Sequence, residues 1–137
     1  MGLILDSSVL IAAERKGQNA RQALSAIALR AAGEDVAISV VTVIELAHGV
    51  ARANTAQRKA TRRQFLSELL TVLPVHPVTV RVALLAGQID GENSIQGIRL
   101  ALSDLLIGVT ALELGYRVAT ANLRHFQMVP GLGIVSL

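Results

Sequence analysis

The spacing of apolar residues changes several times along this chain, and each change marks an element boundary. Gly2-Leu3-Ile4-Leu5 is an apolar run of strand length that stops at Asp6. A helix then begins near Ser7 or Ser8 and runs to about Lys16, and Gly17-Gln18-Asn19 turns the chain into a second helix over roughly residues 20–32. Gly33-Glu34-Asp35 breaks that helix, and Val36-Ala37-Ile38-Ser39 reads as a strand. Thr42 with Glu45 three residues later matches a capping box, which predicts a helix from there to about Arg52. After a polar joint at Asn54-Thr55, a helix is expected over about residues 56–72. Residues 73–77 are expected to be extended, because Pro74 and Pro77 bias their predecessors away from helix. A helix over about residues 79–89 is followed by the most loop-like stretch of the chain, residues 90–97. Ser103 is placed to cap a helix over residues 104–114, which Gly115 stops. Residues 116–120 read as a strand, 123–126 as a short helical turn and 133–137 as a last strand.

Strands alternating with helices predict a single domain over residues 1–137, a three-layer α/β/α sandwich around a central, mainly parallel sheet. No internal repeat, low-complexity tract or interdomain linker interrupts it. Ligands of such sheets bind outside the carboxyl ends of the strands. Asp6 lies at such an end, and Glu45 and Asp104 are expected in first helical turns facing the same edge.

Composition narrows the function classes. Apolar residues make up 52% of the 137, with few aromatics, as suits a buried parallel sheet under Ala-rich helices. The mean hydropathy of +0.52 is high for a short soluble chain, so some apolar surface is expected to be covered by another subunit or partner. The absence of cysteine excludes disulfides, thiolate-bound zinc, iron–sulfur clusters and thiol catalysis, and fits a reducing cytoplasm. No base precedes Arg15 and Asp6 interrupts the first apolar run, unlike a signal or transit peptide. Residues 36–44, the longest uncharged apolar run, fall far short of the roughly 18 needed to span a membrane. The net charge is +3 and the sequence pI about 10.2. All bases except Lys16 and Lys59 are Arg, the side chain better matched to bidentate phosphate recognition. These are features of nucleic-acid binding.

The candidate chemistry rests on Asp6, Glu45 and Asp104. Carboxylates that converge repel one another unless a cation lies between them or one is protonated. Mg²⁺ or Mn²⁺ relieves that repulsion with oxygen ligands and supports attack of water on a phosphodiester. Taken singly, Glu45 also fits as a capping-box residue and Asp104 as a helix-N-terminal acid, worth about 0.3–1 kcal/mol against the macrodipole. Asp6 resists so local an account, because a charge directly after a buried strand is costly unless paired or metal-bound. Glu45 and His48 form a Glu-x-x-His pair, but no second copy exists to complete a di-iron site. His76, between prolines, reads as structural, and Arg58, Lys59, Arg62 and Arg63 as a solvated face of their helix, a phosphate track or a contact with an acidic partner. Phosphate-loop, dinucleotide-binding, serine-hydrolase and zincin motifs are all missing. Two rivals remain: a metal-independent ribonuclease using paired histidines, and a strand-end Asp phosphoacceptor. The second is opposed by Ser8 two positions after Asp6 and by the lack of a Lys beyond Lys59.

Four segments, in order, resemble the successive motifs of PIN domains: Leu3-Ile4-Leu5-Asp6-Ser7-Ser8-Val9-Leu10-Ile11; Val43-Ile44-Glu45-Leu46; Asp104-Leu105-Leu106-Ile107 with Ala111-Leu112-Glu113-Leu114-Gly115; and Ala119-Thr120-Ala121-Asn122-Leu123-Arg124-His125-Phe126 with Val129-Pro130-Gly131-Leu132. Within that superfamily they are most similar to VapC-type toxins of toxin–antitoxin pairs. The resemblance implies a Mg²⁺- or Mn²⁺-dependent endoribonuclease, usually a homodimer, that cleaves RNA to 5′-phosphate and 3′-hydroxyl ends and is held inactive by a cognate antitoxin. It assigns Asp6 and Asp104 to the metal, Glu45 to the attacking water or a shared ligand position, and Ser8 and Thr120 to orienting the carboxylates. Relatives often carry a fourth acid in the last motif, whereas this chain has Asn122, with His125 where many relatives place an acid. Asn122 is expected to contact water or substrate with reduced metal affinity. The same departure keeps open a PIN-like module that binds RNA or a protein without cutting.

Overall fold

Leu3 and Leu5 of the first strand face one apolar cluster and Ile4 faces another, as the two-residue period of a strand requires. This strand, β1 (Gly2–Leu5), is the middle of a five-stranded sheet in the computed structural model of the chain, which describes all 137 residues. After it come α1 (Ser7–Arg15), α2 (Ala20–Ala31), β2 (Asp35–Ser39), α3 (Val40–Ala51), α4 (Ala56–Val72), β3 (Val75–His76), α5 (Val80–Ile95), α6 (Leu102–Leu114), β4 (Arg117–Thr120), a 3₁₀ turn (Leu123–His125) and β5 (Ile134–Ser136). The sheet order is β3-β2-β1-β4-β5, and every neighbouring pair is parallel.

Two helical layers enclose the sheet. Val9, Leu10, Ile27, Phe65 and Leu69, from α1, α2 and α4, cover the Leu3 and Leu5 side. Ile107 and Ala111 of α6, together with Phe126, cover the Ile4 and Val118 side. α5 packs Val82, Ala86 and Ile89 against Leu105 and Val109 of α6. Gly2 is required by a close approach, since a Cβ there would come within 2.6 Å of the Tyr116 ring. No helix is long and apolar enough to cross a membrane.

The expected α/β/α sandwich with its parallel sheet is the observed fold, and three local expectations are corrected. Residues 90–95 are not loop but the last turns of α5, which ends before Gly97 at a positive φ of 75°. Their polarity belongs to a helix surface. The inward residue, Asn93, is buried, and its Nδ2 donates to the Met128 carbonyl at 3.3 Å. The helix carrying Glu45 starts at Val40, capped by Ser39, whose Oγ accepts from the Val41 N–H at 3.1 Å. Thr42 is therefore inside the helix, and its hydroxyl donates to the Leu5 carbonyl at 3.4 Å. Likewise α6 starts at Leu102 after Ala101, so Ser103 is not its cap.

Candidate active site

The sheet order reverses direction between β1 and β4, and the carboxyl ends of these two strands carry Asp6 and Thr120. Such a switch point leaves a crevice, because the connections leaving the two strands diverge to opposite sides. Asp6 continues the strand pairing with its N–H to the Ala119 carbonyl at 2.9 Å, then serves as N-cap of α1. Its side chain makes no capping bond and is held by tertiary contacts instead.

Asp6 is only 3% exposed. Its Oδ2 accepts from the Ser8 hydroxyl at 2.7 Å and the Thr120 hydroxyl at 2.9 Å. Those hydroxyls are themselves held: the Ala121 N–H donates to Ser8 Oγ at 3.0 Å, and the Asn122 N–H to Thr120 Oγ1 at 2.9 Å. Two donors thus converge on one carboxylate oxygen. No side-chain oxygen or nitrogen in the molecule is both buried and without a partner, so Oδ1, which takes no protein donor, reaches solvent in the crevice.

Glu45 comes from the second turn of α3 rather than the expected first turn, a consequence of the Ser39 cap. The Thr42 bond to Leu5 ties this helix to the residue preceding Asp6. Glu45 Oε1 accepts from the Ser7 hydroxyl at 3.1 Å. Burial pushes the Glu45 pKa above the ordinary glutamate value; the Ser7 bond opposes this, the charges of Asp6 and Asp104 add to it, and His125 opposes it. Asp104 lies in the first turn of α6, its side chain 14% exposed. Burial raises its pKa too, against His125 and with Asp6. The three carboxylates therefore share one field although they come from three elements.

Two residues absent from the sequence-derived set join this site. His125 Nδ1 lies 3.4 Å from Asp104 Oδ2. Its signal was its place in the last motif, three residues beyond Asn122. Ser7 gave no signal beyond following Asp6. Asn122 is exposed, and its bond to the site uses its backbone N–H, not its amide side chain. His48 is exposed, and His76 packs edge-on to Tyr116 with ring centroids 6.4 Å apart. Of the basic run on α4, Arg62 is turned onto α3, with Nη1 donating to the Gly49 carbonyl at 2.8 Å, so it does not belong to a solvated face. Arg62, Arg15 and Glu45 line one cleft of about 170 Å³ between α1, α3 and α4.

Only oxygen donors face the crevice from the three acids, and their mutual repulsion is the condition a hard divalent cation relieves. The residues present fit Mg²⁺ or Mn²⁺ in that sense. No three Asp, Glu or His side chains are drawn close enough to enclose an ion alone, so an ion here would have to take the rest of its shell from water.

A parallel α/β/α sheet with acidic side chains at its switch point places the chain among the open-sheet α/β proteins whose ligands sit at the carboxyl edge of the sheet. Residues 3–132 match the PIN domain, and the chain belongs to that family. Ribonuclease VapC10 of Mycobacterium tuberculosis is 36% identical over 126 residues, 92% of this chain and 86% of its own length. The crystal structure of VapBC2 from Rickettsia felis bound to a DNA fragment from its promoter superposes with a TM-score of 0.84 at 22% identity, covering 100% of this chain and 99% of that one. VapBC-5 of Mycobacterium tuberculosis, a toxin–antitoxin system, has a TM-score of 0.72 at 26% identity, covering 99% and 96%.

The hydroxyl pair on Asp6 yields a first prediction. Thr120→Val and Ser8→Ala are each expected to lower RNA cleavage and divalent-cation affinity by about 10- to 100-fold, the usual cost of removing a group that orients a ligand. Isothermal titration with Mn²⁺ alongside cleavage assays measures both. Unchanged affinity in both variants would show that Asp6 does not need them.

Proposed function

We propose that this chain is an endoribonuclease toxin of the VapC kind, acting in the cytoplasm, neutralised by a cognate antitoxin, self-associating, and dependent on Mg²⁺ or Mn²⁺. The observation that carries the reading is Asp6: a buried carboxylate with one oxygen saturated by Ser8 and Thr120 and the other turned to a crevice that Glu45 and Asp104 also face electrostatically. The ribonuclease relative and the toxin–antitoxin structures support the activity and the antitoxin.

Asp6 and Asp104 would hold the ion, with Glu45 completing the acidic set. When bound, the cation supplies Lewis-acid polarisation of a phosphate oxygen and a water that ionises more readily. Glu45, its pKa raised by burial and acidic neighbours, is suited to take the proton of the attacking water at Oε2, since Oε1 is occupied by Ser7. Ser8 and Thr120 keep Asp6 aimed into the crevice. Arginine-rich positive charge draws the RNA backbone to the surface, a salt-sensitive effect.

One observation favours a second reading, a module that binds RNA or a protein without cutting. His125 stands against Asp104 in the motif where relatives often carry an acid. Cleavage of total RNA by antitoxin-free protein, in Mg²⁺, Mn²⁺ or chelator, separates the two. Discrete products with 5′-phosphate ends that require the cation support the toxin. Binding without products supports the module, and cleavage in chelator to 2′,3′-cyclic phosphates would point to histidine chemistry.

A further inference from the structure

The rim of the crevice beside Asp104 is a firmly anchored turn that leaves its cation and its apolar side chains in solvent. Phe126 is fully buried. With Val129 and Leu132 it closes over Gly108, one turn of α6 beyond Asp104, where a Cβ would come within 3.2 Å of Leu132. Two hydrogen bonds fix the ends of the segment: the Asn122 N–H donates to Thr120 Oγ1 at 2.9 Å, and Asn93 Nδ2 donates to the Met128 carbonyl at 3.3 Å. The 3₁₀ turn Leu123–His125 thus sits against the first turn of α6 through His125 and Asp104.

Arg124 lies within this turn and is exposed. Arg99, also exposed, lies in the link that leaves α5, where the Ile98 N–H donates to the Asn93 carbonyl at 2.8 Å, and enters α6. Among the lysines and arginines of the chain only Arg81 and Arg117 pair with a carboxylate, so both rim guanidiniums are without an acidic partner. Leu102 at the start of α6, Leu123 and Met128 stay 68%, 40% and 49% exposed around them.

An acidic crevice repels a polyanion. Three carboxylates and one divalent cation still sum to a negative charge, so a phosphodiester backbone is drawn in only if cations on the rim hold it. Guanidinium groups match phosphate bidentately. Apolar side chains beside them suit base and ribose faces, which an unpaired strand offers and a duplex hides.

We propose that Arg124 and Arg99 hold the phosphates of an unpaired RNA strand on the Asp104 side of the scissile linkage, with Leu102, Leu123 and Met128 against its bases. The rim is continuous with Asp104, past which an RNA must run to be cut, and this favours RNA over an acidic protein segment. On the other side of the crevice Arg15 and Arg62 share a cleft with Glu45, so the strand meets cations in both directions. This inference rests on the ribonuclease reading above and names where the substrate lies.

The salt dependence of RNA binding tests it, measured by fluorescence anisotropy of a labelled single-stranded RNA on antitoxin-free Asp6→Asn protein in Mg²⁺. Each phosphate contact to a single strand contributes about 0.7 to the slope of log affinity against log salt. Adding Arg124→Ala or Arg99→Ala is expected to lower the slope by about that amount and the affinity about tenfold, the lower end for a charged hydrogen bond. Arg30→Ala, the same charge change on the last turn of α2 at the opposite edge of the sheet, is expected to leave the slope unchanged. Leu123→Ser should weaken binding with the slope unaltered. A single methylphosphonate linkage beside the cleavage site should cost the parent what Arg124→Ala costs, and cost the Arg124→Ala protein nothing more. Circular dichroism confirms that each variant is folded.

Slopes indifferent to Arg124→Ala and Arg99→Ala, in a parent that binds RNA and a wild type that cleaves it, would overturn the rim and keep the ribonuclease. An equal loss in Arg30→Ala would replace the rim by diffuse charge and overturn it too. Unchanged RNA slopes with lost binding of an oligoglutamate peptide would assign the rim to an acidic protein segment. A parent that binds no RNA, with a wild type that cleaves none, overturns both readings.

Discussion

Antitoxin-free protein carrying Asp6→Asn is expected to lose at least about a hundredfold of its RNA cleavage, with Asp104→Asn close behind and Glu45→Gln also impaired. The size follows from what an acidic set contributes: several kcal/mol of charge stabilisation by a bound cation, each 1.36 kcal/mol being tenfold in rate. The losses are not expected to add, because the three acids act on one ion; a double variant should resemble the worse single one. Asn is nearly isosteric and its carbonyl oxygen still accepts the Ser8 and Thr120 hydroxyls, so the fold should survive while the charge is gone. Wild-type rates in Asp6→Asn, measured by single-turnover cleavage of total RNA, would remove Asp6 from the reaction and with it the cation mechanism.

The second large effect is on stability. Glu45 and Asp104 both have folded-state pKa values raised above their ordinary ones, chiefly by burial. Between the ordinary and the raised values the folded chain binds more protons than the unfolded one, so stability falls as pH rises through that window, and the penalty is complete at neutral pH. In chelator, then, these two groups make the protein more stable as pH drops from neutral into the window just above the ordinary carboxylate range. Glu45→Gln should remove its share at neutral pH. Since Glu45 is half-exposed and screened by solvent, the gain is roughly 1–3 °C in Tm and should vanish at low pH. Asp104→Asn is the poorer probe, because it also removes a first-turn charge worth about 0.3–1 kcal/mol.

A divalent cation relieves the same repulsion. At a hundredfold excess over its dissociation constant it should stabilise the wild type by about 2.7 kcal/mol at neutral pH, a shift of several degrees. That shift should shrink as the carboxylates protonate and be lost in Asp6→Asn. Calorimetry with Mg²⁺, Mn²⁺ and Ca²⁺ measures it. A wild-type Tm indifferent to all three would mean that the crevice holds no such ion.

Much of the architecture was legible in the residues themselves. The alternation of apolar runs with helical spacing was enough for a parallel α/β/α sheet, because burial on both faces of β1 demands a continuous apolar segment such as Leu3-Ile4-Leu5. Strong punctuation also located α4, whose expected residues 56–72 are those observed. Asp6 stood out for the same reason: a charge abutting a buried strand needs a cause.

What the residues could not disclose lies where local polarity and tertiary contact compete. Residues 90–95 look like loop, yet they are helix, because Ile89 and Asn93 gain a buried partner surface that outweighs weak local preference. Thr42 and Glu45 satisfy a local capping pattern, yet Ser39 caps the helix and Thr42 bonds Leu5, a contact 37 residues away in sequence. Ser7 on Glu45, His125 on Asp104 and the Thr120 hydroxyl that joins the neighbouring Ser8 on a single oxygen of Asp6 are likewise contacts between remote segments. Which acids and which layers exist could be read from the residues, since hydrophobic periodicity and charge are local properties of the chain. Which oxygen of Asp6 is saturated and which faces the crevice had to await the fold, since both depend on the relative placement of segments that local preference does not encode.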